Sequence, residues 1–262
     1  MVRTSRTIFQ TYIQSCVFRH NQNQNMGVCS SSNGPNIELS PLAKQKVAEK
    51  LGVDVNKIVF VLGGSNSVKK AYYDAVAKKL THIHLMAGTH VVKGDDYMVF
   101  EHPMTVSGDG RDKTFVEGNG FQIKGAKDQT CTFMDLTVQK TEANGLFGCD
   151  GMSYDCLRLH FDKCGNSGVS AFKTKGRLTN CQVTNCHKCG IVSTNGTMEI
   201  EGEDTRIDNN GTHGSEYQHG LQASAESFIH LLAPLTKEGI STNNNGGGNY
   251  GGPGTIETVN SF

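Results

Sequence analysis

Between Glu201 and His219 the chain gathers groups that could do chemistry on a substrate. Glu201, Glu203, Asp204 and Asp208 surround Arg206, and His213 and His219 follow. On a strand Glu201 and Glu203 would share one face, as would Asp204 and Asp208 if the strand ran that far. His213 with His219 could bind a metal, or act as an acid and a base on a substrate. Arg206, Asp208, His213 and His219 are therefore the candidate catalytic residues. The competing account is structural: a solvated acidic face, and a tolerated loop insertion that happens to carry histidines.

Cysteine offers a second kind of chemistry. Seven of the nine cysteines lie between Cys131 and Cys189. Cys186 and Cys189 form a CxxC, but no second pair stands at zinc-site spacing. The expectation is small, reduced, buried side chains. Cys164 and Cys186 should stack on neighbouring repeats, where a disulfide is the alternative. An odd cysteine total and no secretory signal favour a reducing compartment, hence a cytoplasmic protein.

These residues sit in a repeat. A glycine-plus-apolar pair recurs at Gly120-Phe121, Gly145-Leu146, Gly168-Val169, Gly190-Ile191, Gly220-Leu221 and Gly239-Ile240. The intervals are 25, 23, 22, 30 and 19 residues, a period that marks a repeat architecture. Each unit holds short alternating runs such as Leu157-Arg-Leu159-His-Phe161, broken by Gly, Asn and Asp, which is strand and turn chemistry. One such unit cannot bury its own apolar side; stacked units bury one another's. The expected fold is all-β, a single-stranded right-handed parallel β-helix. Leu146, Val169, Ile191, Leu221 and Ile240 should form one internal column. Val138, Phe161, Val183, Ile207 and Leu232 should form another, provided residues around Thr212 to Glu216 are an inserted loop. The repeated glycine implies either positive φ or close approach between rungs. His230 falls in the column of Leu136 and Leu159.

Residues 40–81 read as an N-terminal α-helical cap to the β-helix domain, 40–262. Ser40-Pro41 starts a helix that Gly52 ends. A second helix is expected over 68–80, with Ala71, Tyr72, Ala75, Val76 and Leu80 on one side. Residues 1–39 form a separate disordered or targeting segment. Apolar and arginine residues within 1–25 fit a mitochondrial or plastid transit peptide. If translation starts at Met26, Gly27 and Cys29 become sites of myristoylation and palmitoylation, and the protein is membrane-anchored. The Asn- and Gly-rich run 243–254 reads as a loop.

The stretches Ile83-His-Leu-Met-Ala-Gly-Thr-His-Val-Val92, His102-Pro-Met-Thr-Val-Ser-Gly-Asp-Gly110 and Thr114-Phe-Val-Glu-Gly118 resemble the opening of pectin-lyase-like right-handed parallel β-helix proteins. The resemblance covers roughly residues 57 to 262 and implies the fold with its helical cap. It leaves the activity open, since that group includes polysaccharide lyases, hydrolases, epimerases and repeat modules without catalysis. The hydrolase pattern is incomplete: His219-Gly220 lacks the preceding glycine, and the only Asp-Asp pair is Asp95-Asp96. The epimerase run Asp-Pro-His-Asp is absent. A lyase would need calcium, for which Glu201, Glu203, Asp204 and Asp208 beside Arg206 are the local candidates.

Composition limits the partners. With 25 basic and 25 acidic residues the chain is formally neutral, which gives no basic footprint for nucleic acid. The favoured function is a non-catalytic β-helix scaffold binding a protein or polysaccharide along a strand face, without a cofactor. The alternative is a carbohydrate-active enzyme, a lyase or epimerase acting on an acidic glycan.

Overall fold

The structure, a computed structural model, describes residues 39–64, 67–94 and 96–260. The chain from Leu39 onward is a parallel β-solenoid of about 9 turns. Each turn runs through three short strands, and each strand pairs in parallel with its counterparts one turn before and after. The first face stacks 58–61, 82–85, 105–108, 130–134, 153–157, 175–179, 197–201, 228–232 and 255–259. The second stacks 88–92, 114–118, 137–141, 160–162, 182–184, 206–208 and 241–242. The third stacks 98–100, 121–123, 146–148, 169–172, 191–194, 219–223 and 248–251. Two long strands, Phe121–Met134 and Leu146–Leu157, bend across the third and first faces and join them.

The corners are made by single residues in the left-handed region. Asp135, Arg158 and Asn180 turn the chain from first face to second; Lys163, Asn185, Asn209 and Asn243 turn it from second to third. Asparagine tolerates that conformation because its short amide bonds locally. Amides, buried at Asn210 and half-buried at Asn244, tie the second corner together from rung to rung. Asn210 donates to Val183 O (2.9 Å) and accepts from Cys186 N (3.0 Å), while Asn244 donates to Ile207 O (3.0 Å) and accepts from Asn210 N (2.9 Å). Backbone groups that a corner would orphan are satisfied in this way.

Gly168 and Gly190 are needed for space, and neither has positive φ. A Cβ on Gly168 would lie 2.3 Å from Val183 Cγ1, and one on Gly190 2.5 Å from Ile207 Cγ2. Of the two reasons for the repeated glycine, close approach is the operative one.

Both internal columns form, with corrections at their ends. Phe121, Leu146, Val169, Ile191 and Leu221 are fully buried and in register. The next partner of Leu221 is Tyr250, so Ile240 is outside that column. Gly239-Ile240 belongs instead to a short helix, Lys237–Ile240. Val138, Phe161, Val183 and Ile207 also stack, but the column continues to Ser241. Leu232 pairs with Val259 on the first face. The segment between strands 206–208 and 219–223 is longer than its counterpart between 182–184 and 191–194, where the insertion was expected.

Ahead of the solenoid lies helix α1, Pro41–Leu51, with the Ser40 hydroxyl accepting from Ala43 N and Gly52 ending it at φ 66°. Helix α2, Val68–Ala77, buries Val68, Ala71, Tyr72 and Ala75. The Tyr72 ring meets Phe100 at 4.9 Å, and Phe100, Phe121 and Phe133 fill the core next to it. The stacked strands begin earlier than expected. Ile58–Val61, inside the region read as a cap, already pairs with His82–Leu85. The expectations for residues 1–38, including the transit segment and acylation at Gly27 and Cys29, lie outside the described residues.

Candidate functional site

The acidic run around Arg206 is divided by a corner. The strand Thr197–Glu201 ends the first-face segment, and Arg206–Asp208 lies on the second face. Glu201 Oε1 accepts from the Thr179 hydroxyl at 2.6 Å. Glu203 and Asp204 are exposed at the corner, where Asn180 Oδ1 accepts from Asp204 N. Arg206 points outward, and Asp208 Oδ1 is buried without a hydrogen bond. Among the described residues no group of three or more His, Cys, Asp or Glu converges to hold a metal ion. The carboxylates expected to share a strand face are separated because the strand stops at Glu201.

His213 and His219 have different neighbours. The His213 ring lies 4.8 Å from that of His187, one rung earlier, and both are exposed. His219 is on the third face, its ring over Gly247 and Gly251. Burial holds His219 below the usual histidine range, partly opposed by a hydrogen bond to the Gly247 backbone. His230 is not in the column of Leu136 and Leu159. It lies on the outer side of the first face, with Nε2 3.6 Å from Glu257 Oε1.

That outer side brings together residues that no sequence motif singles out. Because side chains alternate along a strand, Tyr154, Leu178, Ile200 and Ile229 point inward and are buried. Their neighbours Asp155, Arg177, Glu199, His230 and Glu257 form one outward column. Glu199 is clamped: Arg177 donates to Oε2 through Nε and Nη2 (3.0 and 2.6 Å), and Lys175 Nζ lies 2.6 Å from Oε1. Burial would raise its pKa, but the hydrogen bonds from Lys175 and Arg177 outweigh it and hold Glu199 below the usual glutamate value. Asp155 is in the opposite condition. Desolvation raises its pKa above the usual aspartate value, Glu199 adds to the rise, and Arg177 only partly offsets it. One carboxyl is thus biased toward keeping its proton and the other toward losing it, on the same face.

No protein-family model matches the chain, and no curated protein matches it. Among solved structures, the catalytic domain of GH87 alpha-1,3-glucanase, as an Asp-to-Ala variant with tetrasaccharides, is similar at 15% identity and a TM-score of 0.47. The match covers 76% of this chain and 40% of that one. A variant of the same kind of domain with nigerose gives 15% identity and a TM-score of 0.47, over 79% and 44%. The chain spans less than half the length of these domains. Any activity has to be read from the chemistry of the residues themselves.

The cysteines follow the structural expectation. All seven between Cys131 and Cys189 are buried thiols. Burial pushes Cys131 and Cys181 up to about 12, and Cys189 to about 11. Cys186 is raised as well, by burial first and then by the adjacent Cys164 thiol, as expected for stacked rungs. Cys189 Sγ contacts Gln222 Oε1 at 2.7 Å. No described helix is long and apolar enough to cross a membrane.

Proposed function

We propose that this chain is a carbohydrate-active protein that hydrolyses a glycan lying across the outer side of the first face. The observation that carries this reading is the pair Asp155 and Glu199, whose surroundings move their pKa values in opposite directions. Such a pair is what acid–base assignment in a two-carboxylate site requires. The two residues are separated by one intervening strand, that of Arg177. Two strand spacings place their backbones roughly 10 Å apart. An inverting displacement needs carboxyl groups about 6.5–9.5 Å apart with a water between them, a spacing within reach of two side chains on strands so placed. Asp155 then gives its proton to the glycosidic oxygen as the bond to the anomeric carbon breaks. Glu199 takes a proton from the water that attacks that carbon. Lys175 and Arg177 keep Glu199 ionised before the step.

Reducing ends released from neutral and acidic polysaccharides measure the reaction. Turnover should fall by at least about a hundredfold, the usual scale of a general acid or base, in Asp155→Asn and in Glu199→Gln, and stay unchanged in Arg206→Ala. Turnover indifferent to both first-face changes sinks the assignment.

A second reading, a non-catalytic scaffold on the same face, is favoured by one feature. Glu199 and Glu201 are already engaged with Lys175, Arg177 and Thr179. It predicts glycan binding without release of reducing ends. A lyase or epimerase centred on Glu201 to Asp208 has less support, because the corner divides those groups.

A further inference from the structure

The outer side of the first face changes character at the strand Phe228–Leu232. The column beside that of Asp155 runs Lys175, Thr197, Phe228, Thr255. Phe228 is thus the aromatic member of a polar column, and it is 43% exposed. Its neighbours above and below are threonines, too short to cover a ring. The His230 ring stands 5.6 Å away, tilted by 49°. His230 Nε2 lies 3.6 Å from Glu257 Oε1 on the next strand, and its partner on the other side is Glu199. A flat apolar surface therefore adjoins a hydrogen-bonding edge, one rung beyond the carboxylate pair.

We propose that Phe228, His230 and Glu257 form a sugar-ring subsite for an uncharged pyranose of a glycan chain. This rests on the reading that a glycan occupies the first face. A pyranose whose hydroxyls are mostly equatorial presents C–H bonds from its faces. Those carry slight positive charge, and an aromatic face is negative. Covering Phe228 with such a face also removes apolar surface from water. His230 and Glu257, level with the edge of the ring, supply a nitrogen and a carboxylate for hydroxyls. Lone exposed apolar residues are common on proteins. Phe228 differs in being on the same outer side as Asp155 and Glu199, next to polar groups that face the same way.

Charge selects against an acidic glycan. With Asp155 holding the proton it donates, the carboxylates Glu199, Glu201 and Glu257 lie on this side of the strands, against Lys175 and Arg177 as full cations. The surplus is negative, and like charges repel polyuronate. On this proposal the glycan is neutral, in place of the acidic glycan expected from the sequence.

Binding, separated from turnover, tests this. The Asp155→Asn protein is titrated by calorimetry with cellohexaose, maltohexaose, laminarihexaose and hexagalacturonate. At least one neutral hexaose should bind, and hexagalacturonate should bind more weakly than it. Adding Phe228→Ala should weaken that binding about tenfold, Phe228→Tyr should retain it, and the melting temperature should be the same in all three. Absence of binding by every neutral hexaose, preference for hexagalacturonate, or full affinity in the Phe228→Ala protein overturns the subsite. Where the wild-type protein turns a glycan over, Phe228→Ala should raise KM and leave kcat. Turnover lost in Asp155→Asn together with an unchanged KM in Phe228→Ala would keep the hydrolytic reading and discard the subsite.

Discussion

A carboxyl group that loses part of its water and is only partly compensated by a neighbouring cation is held at a cost to the fold, and Asp155, beside Arg177, is in that position. Its folded pKa is raised, so its contribution to stability is full below the unfolded value and is lost as pH rises through the folded one. Asp155→Asn should therefore melt higher than the parent at neutral pH. The difference should fade as pH falls below about 4, the ordinary aspartate value. Equal melting curves at both pH values would mean that Asp155 is solvated like any surface acid. Glu199 has the opposite sign. Its folded pKa is lowered, so it contributes stability above its unfolded value and loses it as pH falls through the folded one. Glu199→Gln should cost about 1 kcal/mol at neutral pH, a modest figure because Lys175 and Arg177 are half exposed. Neither residue belongs to a sequence motif. Asp155, Arg177 and Glu199 nevertheless stand 22 residues apart in sequence, the same step as Val169 and Ile191. The outward positions repeat at that step just as the apolar ones do, so the same period marks the column in the sequence. The run Glu201 to Asp208 reads as a site because its acids are close in sequence, and a corner separates them in the fold.

Strands and corners carry the next level of specification. The glycine-plus-apolar period identified the third-face column correctly through Leu221, because that column is set by steric contact repeated at each rung. It failed at Gly239-Ile240, where a helix of the same local composition occupies the connection. Single left-handed residues such as Asn180 and Asn185 make corners without glycine, and this blurred the boundaries between strands in the sequence. Two substitutions test the packing. Gly168→Ala forces a methyl group toward Val183 and should destabilise by about 1–3 kcal/mol, as overpacking does. Val169→Asp places a charge in the dry column, costs several kcal/mol, and should remove cooperative melting. A Gly168→Ala protein as stable as the parent would show that neighbouring rungs yield easily.

At the scale of the molecule, stacked rungs make one continuous interior that includes Cys131, Cys156, Cys164, Cys181 and Cys186, while Cys149 and Cys189 are buried outside it, against Gln122 and Gln222. None of these seven thiols should react with an alkylating reagent at pH 8 without denaturant, and all should react once the chain is unfolded. Labelling of Cys164 or Cys186 in the native protein would show that the corner between second and third faces opens. The solenoid was legible from the sequence because every rung repeats the same burial requirement. Its helices were legible too, α1 from Ser40-Pro41 and Gly52 and α2 from its apolar stripe. Which outer face carries chemistry was not, since that depends on which polar residues the corners bring into line. Rung-to-rung pairing also has a kinetic consequence. Val169 meets Ile191, and Phe161 meets Val183, each across 22 residues of chain. The longest such step, Ile207 to Ser241, spans 34 residues, and because loop-closure entropy grows only with the logarithm of length the cost hardly changes along the protein. Adding rungs lengthens the chain without lengthening its contacts, which lowers the relative contact order that slows most all-β proteins. Assembly can then start at whichever pair of rungs closes first and spread in both directions as a zipper.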